Sequence, residues 1–214
     1  MRELGIRSIG RILCIIIVFG ALQFFLLTFA AAFVYPGGFD YFGYFFSDLG
    51  ALIAKNGELN YVSSALFSIA LVVVAVALIP FWLIIRSPFT KSKLEKVLSV
   101  LGSALGVMSF PFLIGVAISP IDTQLETHVI MTLIFFSLFV LATLLYSVAI
   151  ILNQVYPKYS AMAGFVLFGI STIILVDPLA SYVAVLQTIV LYGYFAWVLM
   201  QTFLVWRRIK HSAA

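Results

Sequence analysis

The stretch from Tyr61 to Ile85, YVSSALFSIALVVVAVALIPFWLII, decides the fold class. It contains no Asp, Glu, Lys, Arg or His over a length that exceeds the roughly 20 apolar residues needed to cross a bilayer as a helix. Five similar runs lie around it, at Ile12–Val34, Val97–Ser119, Glu126–Leu152, Tyr159–Val176 and Tyr182–Val205. Each is too long and too uniformly apolar for a barrel strand. The reading is a single all-α domain over residues 1–214: a polytopic membrane protein with six transmembrane helices. Composition agrees. The chain is 64% hydrophobic and 9% charged, with a mean hydropathy of +1.20, whereas soluble domains carry about 25% charged residues. The first run has a basic start and an Ala30-Ala31-Ala32 triplet, but exceeds the about 7–15 residues of a signal-peptide core and is expected to be a retained helix.

The basic residues set the expected orientation. Arg2, Arg7 and Arg11 precede the first run. Arg86, Lys91, Lys93 and Lys96 join the second to the third, Lys158 joins the fourth to the fifth, and Arg207, Arg208 and Lys210 follow the sixth. Only Lys55 falls on the other side. The positive-inside rule then places both termini in the cytoplasm of a multi-pass protein of the cell (plasma) membrane. The net charge of +4 is thus spent on insertion and on anionic headgroups, not on nucleic acid. Cys14, the single cysteine, has no intrachain partner for a disulfide.

The first outer segment, Tyr35–Asn60, carries seven aromatic residues between Tyr35 and Phe46. A short interfacial or re-entrant helix is expected around Phe42–Ala54, entered through the Tyr35-Pro36-Gly37-Gly38 turn. It would act as an aromatic belt anchoring the first hairpin or as a lid over a site between helices. The third run contains Gly102-Ser103-Ala104-Leu105-Gly106, which permits close helix approach, and Pro111, which should kink it. These features nominate helix 3 for the bundle centre. No Asp, Glu, Lys, Arg or His lies at the middle of a span, where ion-coupled transporters usually place one. The interior polar residues are Ser, Thr and Gln, among them Gln23, Ser68, Ser103, Thr132, Ser137, Thr143, Ser171 and Gln187.

Three polar clusters fall at the outer ends of the helices. They are Ser47-Asp48-Leu49-Gly50 with Asn60 and Ser63-Ser64, then Pro120-Ile121-Asp122-Thr123-Gln124-Leu125-Glu126-Thr127-His128, and finally Asp177-Pro178. Thr123 and Glu126 have capping-box spacing, and Asp48 could cap a short helix through the amides of Gly50 and Ala51. His128 shares a helix face with Thr132, and Asp122 in the preceding turn could reach back to it. A carboxylate beside an imidazole suits a general base or a metal ligand. Asp48, Asp122 and His128 are therefore the candidate catalytic set, with Ser47, Asn60, Ser64 and Gln187 as ligand-binding candidates. A divalent metal would be Zn²⁺ or Mn²⁺ on an Asp/Asp/His set, and Ca²⁺ or Mg²⁺ on carboxylates alone. No HExxH, Cys pair or Gly-rich phosphate loop is present.

The same residues carry a family resemblance. Tyr35-Pro36, Ser47-Asp48-Leu49-Gly50 and Asn60 with Ser64 and Phe67, followed by Ser119-Pro120-Ile121-Asp122 with His128, resemble two signatures of Domain-of-Unknown-Function family 998. That family comprises prokaryotic six-helix membrane proteins, similar in layout to FRAG/DRAM-type proteins, some of which are linked to lipid or GPI-anchor remodelling. The resemblance implies the six-helix fold and a shared outer site at Ser47, Asp48, Asn60, Asp122 and His128, without a reaction. It also implies an acidic residue early in the last helix, where this chain has Val185-Leu186-Gln187. Alkaline-ceramidase-like hydrolases offer a second analogy, but their three-histidine zinc site has no counterpart here. Of the two histidines, His128 is on the outer side and His211 in the cytoplasmic tail.

The functional expectation is an outer-leaflet acidic/His pocket that binds a membrane lipid or amphiphile and could hydrolyse or remodel it. The alternative is a small transporter, channel or scaffold whose outer acidic residues are structural. Orientation is testable first. A reporter fused after His211 should read out as cytoplasmic, and Lys55→Cys in a Cys14→Ala background should react with an impermeant maleimide from outside. External labelling at the C-terminal tail would reverse the topology.

Overall fold

The computed structural model describes residues 2–177 and 182–211, with side chains from 8 to 177 and 182 to 210. Pro178 of the third polar cluster and the side chain of His211 fall outside these. Six helices form: α1 (Arg2–Phe33), α2 (Tyr61–Ile84), α3 (Lys93–Ile118), α4 (Leu125–Leu152), α5 (Tyr159–Val176) and α6 (Val183–His211). All six are long and apolar enough to cross a membrane. No strand forms among the described residues; one isolated antiparallel bridge joins Ile53 to Leu59.

Consecutive helices pack side by side, and α6 returns to α1, so the six close into a ring. Aromatic rings fill its centre. Phe24 of α1 stacks on Phe195 of α6 at 4.1 Å, Phe139 of α4 meets Tyr194 at 4.9 Å, and Trp82 of α2 meets Phe139 at 5.2 Å. Large flat side chains suit a ring of helices because they span the gap between opposite walls and pair edge to face.

Helix 3 is not central, contrary to expectation. It packs chiefly on α2 and α4, and a larger share of α2 and of α4 than of α3 is buried. The Gly102–Gly106 pattern instead makes room for bulky neighbours: a Cβ at Gly106 would lie 2.2 Å from the Trp82 ring, and one at Gly102 would lie 2.9 Å from Tyr146. The small residues of α3 thus receive two of the largest side chains of α2 and α4 rather than a second backbone.

Most interior polar groups tie helix to helix or back onto their own turn. Gln23 donates to the Ala70 carbonyl, Ser68 to that of Ala117, and Thr143 to that of Phe139. Ser103 bonds both the Trp82 carbonyl and the Tyr146 hydroxyl, and Ser171 meets the Tyr194 hydroxyl. A polar group in an apolar interior costs free energy unless bonded, so these pairings are required by the setting. At the expected cytoplasmic end, Lys158 closes α4 by donating to the carbonyls of Ile150, Ile151 and Asn153. The buried Glu95 accepts from Asn153 Nδ2.

Glycine substitutions separate packing from propensity. Trp82 is fully buried and has nowhere to move. Gly106→Ala should therefore lower the detergent melting temperature, because overpacking costs about 1–3 kcal/mol against a propensity gain of about 1 kcal/mol. Gly169→Ala, with nothing within 4 Å of its Cβ, should leave stability unchanged or raise it. Equal responses of the two variants would contradict the Trp82–Gly106 contact.

Candidate functional site

The α1–α2 connection, on the expected outer side, shapes the site. A turn at Tyr35–Gly38 uses two left-handed glycines, Gly37 and Gly38, with φ of 78° and 86°. Tyr35, Phe39, Tyr41 and Tyr44 then cluster ring to ring. The helix expected over Phe42–Ala54 does not form. In its place is one 3₁₀ turn, Phe46–Gly50, all five residues of which are buried. Phe46 inserts its ring between Phe24, Phe67 and Tyr192, so the segment plugs the outer mouth of the ring.

An irregular segment in that position leaves backbone groups without helical partners, and side chains supply them. Asn60 Nδ2 donates to the carbonyls of Leu49 and Ala51, Ser63 Oγ to Leu49, and Ser64 Oγ to Gly50. Gln187 Oε1, from α6, accepts from the Phe46 amide at 2.9 Å. Asp48 Oδ2 accepts from the Phe45 amide at 2.9 Å and caps the 3₁₀ turn from its N-terminal end, not through Gly50 and Ala51. Its other oxygen lies 3.0 Å from Lys55 Nζ. This explains the one outer lysine: a carboxylate that is 3% exposed needs a counter-ion, and Lys55 supplies it. The Lys55 amide in turn donates to the Tyr35 hydroxyl at 3.0 Å. Burial pushes that phenol above its ordinary range, against the pull of the amide bond.

Asp122 does not reach back to His128. Both its oxygens accept from the Leu52 amide at 3.1 Å, and Oδ2 also accepts from that of Ile53 at 2.9 Å. It clamps the extended part of the outer loop to the α3–α4 turn. The Thr123–Glu126 capping box is likewise absent: α4 starts at Leu125, and the Gln124 amide bonds the Pro120 carbonyl.

His128 is buried, and its Nδ1 lies 2.7 Å from the Ser119 carbonyl. A carbonyl only accepts, so Nδ1 carries the proton and Nε2 of the neutral ring is a lone-pair acceptor. No direct hydrogen bond or ion pair joins His128 to Asp48 or Asp122. Among the described residues no group of three His, Cys, Asp or Glu side chains is placed to hold a metal.

The structure instead places His128 with Ser47, Thr132 and Gln187 along the same cavities. All four line one end of a cleft of about 190 Å³. Its walls are Ile121, Leu125, Val129 and Leu133 beside and along α4, Ile174 and Leu175 at the end of α5, and Val183 at the start of α6. Leu125, Val129 and Leu133 are also exposed on the outer surface of the ring, so the cleft opens sideways between helices. From its polar end a second cavity of about 40 Å³ runs inward past Phe46 and Phe67. A third, about 30 Å³ and lined by Phe24, Leu78, Phe139 and Phe195 among others, follows it with no polar surface.

The polar end has spare hydrogen-bonding capacity and no formal charge. Ser47 Oγ makes no hydrogen bond, Gln187 has used only its carbonyl oxygen, and His128 retains Nε2. Thr132 Oγ1 is buried without a partner. Of the ligand-binding candidates, Ser47 and Gln187 line the cleft, whereas Asn60 and Ser64 hold the plug. Thr132 was readable only as a neighbour of His128 one turn on; the apolar walls carry no signal distinguishing them from lipid-facing residues. No family model, curated protein or solved structure matches this chain.

Two substitutions test the roles given to the carboxylates. Asp48→Ala should cost about 1–3 kcal/mol, because it strands a partly buried amide. Asp122→Ala should change the melting temperature little but abolish the exchange protection of the Leu52 and Ile53 amides. Unchanged protection there would remove the clamp.

Proposed function

We propose that this chain is a membrane protein that receives the end of an outer-leaflet amphiphile in the lateral cleft between α4, α5 and α6. The observation that carries this reading is a cleft with apolar walls, bordered by the exposed Leu125, Val129 and Leu133 of α4, that also presents four neutral polar side chains with unused hydrogen-bonding capacity. Such a cleft suits hydroxyl, amide or ester groups better than a phosphate or a cation, since nothing charged lines it. The cleft is smaller than the about 300–1,000 Å³ of a drug-sized pocket. It therefore suits the end of one chain and its polar attachment, with the rest of the molecule remaining in the bilayer.

The reading includes the cytoplasmic location of both termini, from the distribution of Lys and Arg, and an interfacial placement of the Tyr35–Asn60 segment, from its aromatic content. Membership of Domain-of-Unknown-Function family 998 is proposed on the two short motifs quoted above. Within this site His128 is the group able to accept a proton, and Ser47 offers a hydroxyl on the same cleft. Hydrolysis or remodelling would run through these two, with Asp48 and Asp122 as structural residues. The transporter alternative is supported less, because the innermost cavity is wholly apolar and offers no continuous polar path.

The test uses a photoactivatable monoacylglycerol with the purified chain in nanodiscs. Labelling should map to α4 and the ends of α5 and α6. His128→Ala and Gln187→Ala should each weaken it about tenfold, the equivalent of one lost hydrogen bond of about 1.4 kcal/mol. Leu133→Trp, which fills the cleft, should abolish it. Labelling that is indifferent to all three variants would refute the cleft as a binding site.

A further inference from the structure

The four polar side chains of the outer cleft border two cavities at once. Ser47, His128, Thr132 and Gln187 line both the lateral cleft of about 190 Å³ and the cavity of about 40 Å³ next to it. Beyond them the lining is apolar: Leu71, Leu113, Phe135 and Leu191 are common to that cavity and to the innermost one, of about 30 Å³. Phe136 borders all three. Polar groups at such a junction meet a ligand part-way along its length, with apolar walls on both sides. A dry apolar cavity of about 150 Å³ takes up one benzene, so on that scale the two inner cavities hold about three carbon atoms.

The donors and acceptors at the junction are set by bonds already made. Gln187 Oε1 accepts from the Phe46 amide at 2.9 Å, which fixes the orientation of that side chain and leaves its Nε2 as a donor. The Thr132 hydroxyl is buried without a partner, and that of Ser47 lies on the same two cavities. His128 Nδ1 donates to the Ser119 carbonyl, so the remaining ring nitrogen only accepts. Three donor side chains thus stand with one obligate acceptor. Their complement is a group holding both a carbonyl and an N–H, and a secondary amide is that group. An ester brings no donor and would leave the buried imidazole nitrogen unpaired, a loss that discriminates strongly between otherwise similar ligands. We propose, on the reading of the cleft as an amphiphile site, that its ligand is a long-chain secondary amide. The amide lies among Ser47, Thr132, Gln187 and His128, and the long chain leaves through the lateral cleft. A short apolar segment of about three carbons fills the inner cavities. Phe136 sets the length of that segment, because its ring walls all three spaces.

Photolabelling of the full chain in nanodiscs tests this with compounds that carry a diazirine on the long chain. They are N-butyryl-hexadecylamine, the reversed amide N-propyl-hexadecanamide, N-decanoyl-hexadecylamine and the ester hexadecyl butyrate. At least one of the two short amides should label α4 and the ends of α5 and α6, about tenfold or more better than the ester and the decanoyl amide, as expected for one lost hydrogen bond or a misfitting chain. His128→Ala should erase the preference for amide over ester and keep that for the short segment. The ratio measured on the unaltered chain decides the point even if that variant does not fold. Phe136→Ala should raise labelling by the decanoyl amide and leave the ester disfavoured. If it does not fold, Leu113→Ala enlarges the same two inner cavities and should act alike. Labelling by none of the compounds, or labelling unchanged by Leu133→Trp, would remove the cleft as a binding site and this ligand with it. Labelling lost in Leu133→Trp but equal for amide and ester, or equal for short and decanoyl amides, would keep the cleft and overturn the short-segment amide.

Discussion

The structure depends on satisfying an irregular backbone inside an apolar bundle. The 3₁₀ turn Phe46–Gly50 is buried, and its carbonyls and amides have no helix or strand to complete them. In a membrane setting each unpaired group costs several kcal/mol. Asn60, Ser63 and Ser64 at the start of α2 and Gln187 of α6 make up the deficit, and Asp48 caps the turn from within. From this one constraint follow the presence of polar residues at the head of α2, the isolated outer lysine paired to Asp48, and the grip of Asp122 on the extended arm beyond the turn.

The same constraint explains why the candidate site is neutral. The two carboxylates are consumed by the loop that closes the bundle, so what faces the cleft is the remainder: a serine, a threonine, the unused half of a glutamine amide and one imidazole nitrogen. A buried carboxylate left to face an apolar cleft without a partner would be strongly disfavoured, whereas hydroxyls and amides can wait there for a ligand at modest cost. The proposed specificity for an uncharged polar group is thus a consequence of how the plug is held.

Much of this was legible in the sequence. The six runs are resolved by length and hydropathy alone, and the α4 and α5 boundaries agree within one residue, because twenty apolar residues leave little choice of structure. That the outer polar residues Asp48, Asn60, Asp122 and His128 would each be engaged was recognisable, since none has an apolar role; each takes a backbone partner. Their pairing was not. Asp122 lies six residues before His128, which invites a carboxylate–imidazole pair, but its oxygens serve amides 69 and 70 residues away, at Ile53 and Leu52. That contact follows from the path of the outer arm, which no local pattern encodes. The glycines of α3 misled for a related reason: close-approach spacing does not reveal whether a backbone or a Trp82 ring will fill the gap.

The central claim is that His128 Nε2 and its three neutral neighbours terminate a cleft occupied from the bilayer. An experimental structure of the chain in a lipid nanodisc tests it most directly. Elongated density is expected between α4, α5 and α6, with a polar atom within hydrogen-bond distance of His128 Nε2 or the Thr132 hydroxyl. A cleft closed by its own side chains, or His128 Nε2 bonded to Asp48 or Asp122, would contradict it.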